Sequence, residues 1–166
     1  MADKALYVLA AFDGETEKSL AGLQNRLYRQ GFSGTQTRNI PMHITLGSFP
    51  TEKEDEIKAA LEMAAAQCGP AEVTFSHVGL FGGADRNVLF IAPDVNRALL
   101  ALKERFGPGE GWTPHTTLLI DRPETVHRAV PAVMEAFHAF SGRVTALHLY
   151  EFFPARLLLS APLRGL

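Results

Sequence analysis

The sequence predicts an α+β protein of two pseudo-symmetric ferredoxin-like lobes, with antiparallel sheets facing a central cleft and helices on the outside. Three observations carry this prediction. Strand-length apolar runs alternate with stripes of helical spacing along the 166-residue chain, the connections between them are short, and the second half repeats the first. At an offset of 71, residues 73–81 (VTFSHVGLF) meet residues 144–152 (VTALHLYEF), with Val, Thr, His and the terminal Phe in register. At an offset of 69, Leu89-Phe90-Ile91-Ala92-Pro93 meets Leu158-Leu159-Ser160-Ala161-Pro162. A shift this constant indicates an internal duplication, so we expect residues 1–166 to form a single bilobal domain with halves at about 1–87 and 88–166.

In order along the chain, residues 5–12 (ALYVLAAF) form an apolar run of strand length closed by Asp13 and Gly14. Leu20, Leu23 and Leu27 follow at helical spacing, with Gly31 as the stop. HITLGSF reads as a second strand, and Thr51-Glu52-Lys53-Glu54 as a capping box ahead of a helix carrying Ile57, Leu61, Ala64 and Cys68 and ended by Gly69. VTFSHVGLF and NVLFIAP flank FGGADR as a hairpin. The pattern then restarts. Val95, Leu99, Leu102 and Phe106 make a helical stripe, HTTLL a strand, and Val126, Val130, Val133 and Phe137 a further helix kinked by Pro131. VTALHLYEF and RLLLSAPL close the chain as a second hairpin.

Composition narrows the function. With 46% hydrophobic residues the chain can bury a real core, and 16 basic against 18 acidic side chains give a charge of −2. That balance lacks the basic footprint of a protein that coats long duplex nucleic acid, while a small or single-ended anionic substrate stays possible. One cysteine, Cys68, leaves no disulfide framework and no Cys-rich zinc module. No apolar run spans a membrane and the first residues do not resemble a signal peptide, so the expectation is a cytoplasmic protein without a membrane partner, and a monomer.

Two short stretches carry the chemistry. PMHITLG holds His43 and Thr45; TPHTTLL holds His115 and Thr117. As bare His-x-Thr pairs they are weak signals, but each opens a predicted strand, follows a proline, precedes a helix and holds the matching place in its repeat. On a strand, residues two apart share a face, so each motif presents imidazole and hydroxyl side by side. Ile44, Leu46 and Leu118 then point into the core, and Thr116 needs a hydrogen-bond partner on the buried side. Two imidazoles with ordinary values near 6.5 can divide into a general base and a general acid. A phosphodiester between them would lose a ribose oxygen to an attacking water, with threonine hydroxyls donating to the non-bridging oxygens. No metal or other cofactor is required, although which histidine is base and which is acid stays open.

At HITL (residues 43–46) and HTTL (115–118) the sequence resembles the two-histidine (2H) phosphoesterase superfamily, and within it the bacterial 2′-5′ RNA ligase-like and RNA 2′,3′-cyclic phosphodiesterase branch. The resemblance extends over nearly the whole chain, including the opening LYVLAAFD. It implies a pseudo-symmetric α+β fold and metal-independent opening of a 2′,3′-cyclic phosphate, or hydrolysis of a related 2′-5′ diester. The implied catalytic set is His43, Thr45, His115 and Thr117, and the implied partner is a small nucleotide or RNA end. The sequence departs from the branch after the second motif, where Leu119 and Ile120 precede the nearest cation, Arg122. A non-catalytic module binding nucleotides or RNA ends in the same cleft is the alternative.

Further candidates flank the motifs. Arg38 and Arg122 are placed to steer a phosphate, and Phe12 and Trp112 to stack on a base, Trp112 foremost because it follows Gly111 in a loop. His77 and His148 match across the repeats on apolar strands and read as core or supporting histidines. His127 and His138, eleven apart on a predicted helix, are too distant to share a metal. Gly107-Pro108-Gly109-Glu110-Gly111 lacks the Lys-[Ser/Thr] of a phosphate loop and reads as a lip of the cleft.

Overall fold

The computed structural model describes residues 3–166. The elements are β1 (Ala5–Phe12), α1 (Gly14–Arg29), β2 (His43–Pro50), a 3₁₀ turn (Thr51–Lys53), α2 (Glu54–Gln67), β3 (Ala71–Phe81), β4 (Asn87–Pro93), α3 (Arg97–Glu104), β5 (Thr116–Asp121), α4 (Pro123–Ala136), β6 (Phe140–Phe152) and β7 (Arg156–Pro162). The seven strands form one antiparallel sheet in the order β2-β1-β6-β3-β4-β5, with β7 on β6.

The long strand β6 joins the two lobes. Its first residues, Phe140–Val144, pair with Ala71–Phe75 of β3, and the remainder pairs with β1 on one edge and β7 on the other. The third strand of each sequence half is exchanged: β3 pairs with β4 of the second half, and β6 with β1 of the first. Each lobe is therefore built from both halves of the chain.

Period-2 alternation sorts the faces. Leu6, Val8 and Ala10 of β1, Ile44 and Leu46 of β2 and Leu147 and Leu149 of β6 are buried against the helical layer, which contributes Leu20 and Leu27 from α1. Tyr7, Leu9 and Ala11, with His43, Thr45 and His148, lie on the opposite face. The helix ends follow simple rules. Asp13 accepts a hydrogen bond from the Thr16 amide at the start of α1, Asn96 does the same for Leu99 at α3, and Gly31, with φ +92°, takes the left-handed turn after α1.

Several local expectations are corrected. The capping box at Thr51 does not form: Pro50 is extended, Thr51–Lys53 make a 3₁₀ turn, and Glu54 pairs with Lys58 at 2.8 Å instead of reaching back. Helix α2 ends before Gly69, on an extended Cys68. Val95 is exposed and precedes α3. The last helix runs unbroken through Pro131 and stops at Ala136, leaving His138 outside it. His77 is exposed rather than part of the core.

Candidate active site

Strands β2 and β5 stand at the two ends of the sheet order, yet they are tied together. The hydroxyl of Thr116, fully buried, donates to the carbonyl oxygen of His43 at 3.0 Å. This is the buried partner that Thr116 requires. Helix α1 clamps the same two strands from behind. Glu17 accepts a hydrogen bond from the Met42 amide at 3.0 Å, while the Gln24 side-chain amide donates to the Leu118 carbonyl at 3.1 Å and lies 3.5 Å from that of Thr117.

Both imidazoles are anchored alike. The Nδ1–H of His43 donates to the Pro41 carbonyl at 2.7 Å, and that of His115 to the Thr113 carbonyl at 2.9 Å. A ring held this way keeps its proton on Nδ1 and its lone pair on Nε2. Burial lowers the pKa of each from its ordinary value, against the raising effect of the carbonyl it bonds; His43 is lowered further by the neighbouring charges of His115 and His148. The neutral ring is thus favoured at both positions, and more reasons act on His43.

A cavity of about 190 Å³ opens beside His43, lined by Thr45, Thr117, Tyr7, Phe152, Phe153 and Ile40, with Gln24, Gln36 and Thr37 as further polar groups. Among the described residues no lysine, arginine or carboxylate lines it. His115 is not among the residues that line this cavity; it is packed by Phe81 and Phe90, with ring centroids 4.8 and 5.3 Å away. Gly79 makes room there, since the Phe90 ring occupies the place its Cβ would take.

The flanking candidates lie elsewhere. Phe12 packs edge-on against the core ring of Phe75 at 5.6 Å, because it continues the alternation of Leu6, Val8 and Ala10 on the helical side of β1. Trp112 rests on the core with Lys103 over its ring at 5.9 Å, outside the cavity lining. Arg122 precedes α4 in a surface depression with Arg86 and Glu124. Arg38 lies 4.2 Å over the Tyr28 ring, in a second depression that shares Gln36, Thr37, Ile40 and Phe153 with the cavity. The glycine loop at residues 107–111 does not line the cavity. Among the described residues no three His, Cys, Asp or Glu side chains cluster as metal ligands, and no helix is long and apolar enough to cross a membrane.

Residues 7–152 match the family model of the 2′-5′ RNA ligase superfamily. The chain belongs to that superfamily, the two-histidine phosphoesterases. Membership makes it a phosphoesterase-type enzyme. No curated protein matches the sequence. Among solved structures, TT0787 of Thermus thermophilus is 18% identical, with a TM-score of 0.66 and alignment over 97% of this chain and 98% of that one. LigT of E. coli in apo form is 18% identical, with a TM-score of 0.61 over 96% of both chains; LigT complexed with 3′-AMP is 16% identical at 0.61, over 96% and 98%. These likenesses show the shared fold.

Within the superfamily fold, sequence reasoning missed the aromatic walls and the clamp from α1. One signal for the walls was available: Phe81 and Phe152, the matched terminal residues of the repeat, sit against His115 and in the cavity beside His43. Gln24 gave none, being one polar residue on an otherwise ordinary amphipathic helix.

Proposed function

We propose that this enzyme is a metal-independent phosphodiesterase that opens 2′,3′-cyclic phosphates of nucleotides or RNA ends by paired-histidine acid-base catalysis. The observation that carries the reading is the matched pair of Nδ1-anchored imidazoles on the tied strands β2 and β5, with Thr45 and Thr117 on one cavity. His43, the ring with more influences holding it neutral, is the general base: its Nε2 takes a proton from a water as that oxygen bonds to phosphorus. His115 is the general acid, protonating the ribose oxygen as its bond to phosphorus breaks. Each transfer is worth roughly 10²–10⁴-fold in rate. The hydroxyls of Thr45 and Thr117 donate to the non-bridging oxygens, where charge builds in the five-coordinate transition state.

The cavity sets the scale of the substrate. At about 190 Å³ it is below the roughly 300–1,000 Å³ of drug-sized pockets, which suits one phosphoester and its nearest rings rather than an extended chain. The crystallisation of LigT with 3′-AMP and with ATP supports a small nucleotide as the ligand here. The test is turnover of a 2′,3′-cyclic mononucleotide in EDTA. Wild-type protein is expected to yield a nucleoside monophosphate, and His43→Ala and His115→Ala each to lose about a thousandfold, the order of one acid or base. Either variant retaining turnover within about tenfold of wild type overturns the mechanism, and saturable binding without product would make the protein a nucleotide-binding module.

A further inference from the structure

The sheet face that carries His43 and Thr45 holds a third imidazole that the reaction above leaves unused. His148 stands on β6 opposite Leu9 of β1, and Leu9 stands opposite Thr45 of β2. Cross-strand partners share a face, so the three side chains form one row across the sheet. With neighbouring strands about 4.8 Å apart, the Cα atoms of His148 and Thr45 are about 10 Å apart. Leu9, only 1% exposed, is the covered apolar residue between them. The imidazole and the hydroxyl at the ends of such a row are polar groups on one sheet face, and His148 is near enough to His43 for its charge to act on that ring.

The hydrogen bonding of His148 points the same way. Its Nδ1 is sealed from solvent and has no partner among the described residues. A neutral imidazole carries one N–H and one bare lone pair, and an orphaned buried N–H is the rarer and costlier defect. The lone pair therefore belongs on Nδ1 and the proton on Nε2, the nitrogen not sealed in. Burial also disfavours the charged ring. The repeat-matched His77 differs: it is exposed, its Nδ1 bonds the Ser76 hydroxyl at 2.9 Å, and Asp94 lies 4.0 Å away. Among the described residues the lining of the cavity beside His43 includes no lysine or arginine to meet an anion; His148 stands outside that lining, across Leu9 from Thr45.

We propose that His148 is a substrate-binding residue whose Nε2–H donates to a phosphate oxygen of the bound ester, opposite the hydroxyl of Thr45. The inference rests on the phosphoesterase reading of this cleft and adds a donor outside the two motifs. Its test uses three variants. His148→Phe keeps a ring without a donor, His148→Gln puts an amide N–H near the Nε2 position, and His148→Asn carries an amide too short to reach. Each is measured by KM and kcat on a 2′,3′-cyclic mononucleotide and by calorimetric Kd for a nucleoside 3′-monophosphate, with circular dichroism to verify folding. Expected are a KM and a Kd raised about 10- to 100-fold in the Phe and Asn variants, the scale of one hydrogen bond to a charged group, and recovery in the Gln variant. A folded Phe variant with wild-type KM and Kd overturns the proposal, and so does a Gln variant no better than Asn. Should His43→Ala retain turnover while His148→Phe still weakens 3′-monophosphate binding, the acid-base mechanism fails and this inference stands.

Discussion

Replacing Thr116 with valine removes a single hydroxyl, and the structure says what that costs. Thr116 is fully buried and its Oγ1 donates to the His43 carbonyl at 3.0 Å, joining the strands that carry the two motifs. Valine preserves the shape and leaves that carbonyl unpaired away from water, which costs about 1–3 kcal/mol. For a chain of this size each kcal/mol lowers Tm by roughly 2–4 °C, so a fall of about 2–12 °C is expected. Activity should fall with it, because freeing β2 from β5 loosens the spacing of His43 and His115, and a displacement of about 1 Å can cost on the order of a hundredfold. Thr116→Ser is the control. It keeps the donor, loses one buried methyl worth about 0.8 kcal/mol, and should hold kcat/KM close to wild type. Urea unfolding and steady-state turnover of a 2′,3′-cyclic mononucleotide decide the matter: a valine variant within about 0.5 kcal/mol of wild type, with kcat/KM unchanged, would refute the tie between the strands.

Gln24→Leu should cost about 1–3 kcal/mol in urea unfolding, since the Leu118 carbonyl loses its buried donor from α1, and unchanged stability would remove the clamp. Burial lowers the pKa of both His43 and His115, so the base form of one appears, and the acid form of the other disappears, at lower pH. The kcat/KM profile should therefore peak on the acid side of the ordinary imidazole value of about 6.5, and a maximum above that value contradicts the pairing. His148 is also lowered by burial, so the unfolded chain takes up its proton first as pH falls. Its contribution to stability is complete above about 6.5 and declines as pH drops through the folded value. The stability gap between wild type and His148→Phe should shift in favour of the variant between about pH 7.5 and 5, and a pH-independent gap would place His148 in contact with water.

What could be read from the chain and what could not separate along a physical line. Period-2 runs and helical stripes are local, and they located every strand of the sheet; the antiparallel hairpins β3-β4 and β6-β7 followed from their turns. Exchange of β3 and β6 between the lobes was not legible, because pairing partners depend on the whole sheet and not on any one strand. The flanking residues failed for a related reason. Phe12 lies close to the cleft in sequence, yet it is in phase with Leu6, Val8 and Ala10 and so faces the core, and Arg122 lies beyond the end of β5, in a depression of its own. Proximity along a strand does not survive the alternation of its faces or the strand's end.

Thr116 shows the opposite case, a local anomaly that carried global information. A hydroxyl predicted on the buried side of a strand must find an acceptor, and the acceptor it finds is the backbone of the other motif. The two histidines of the repeat make the same point from the other side. Residues 77 and 148 are identical letters in register, but one is exposed beside a serine and an aspartate while the other has a ring nitrogen sealed without a partner among the described residues. The repeat read from the sequence would supply two copies of each group, and the surroundings of residues 77 and 148 differ. On the mechanism proposed above, a cleft holding one phosphate between a base and an acid has reason to depart from symmetry where the substrate touches it, and the departure proposed is at His148 rather than in the motifs.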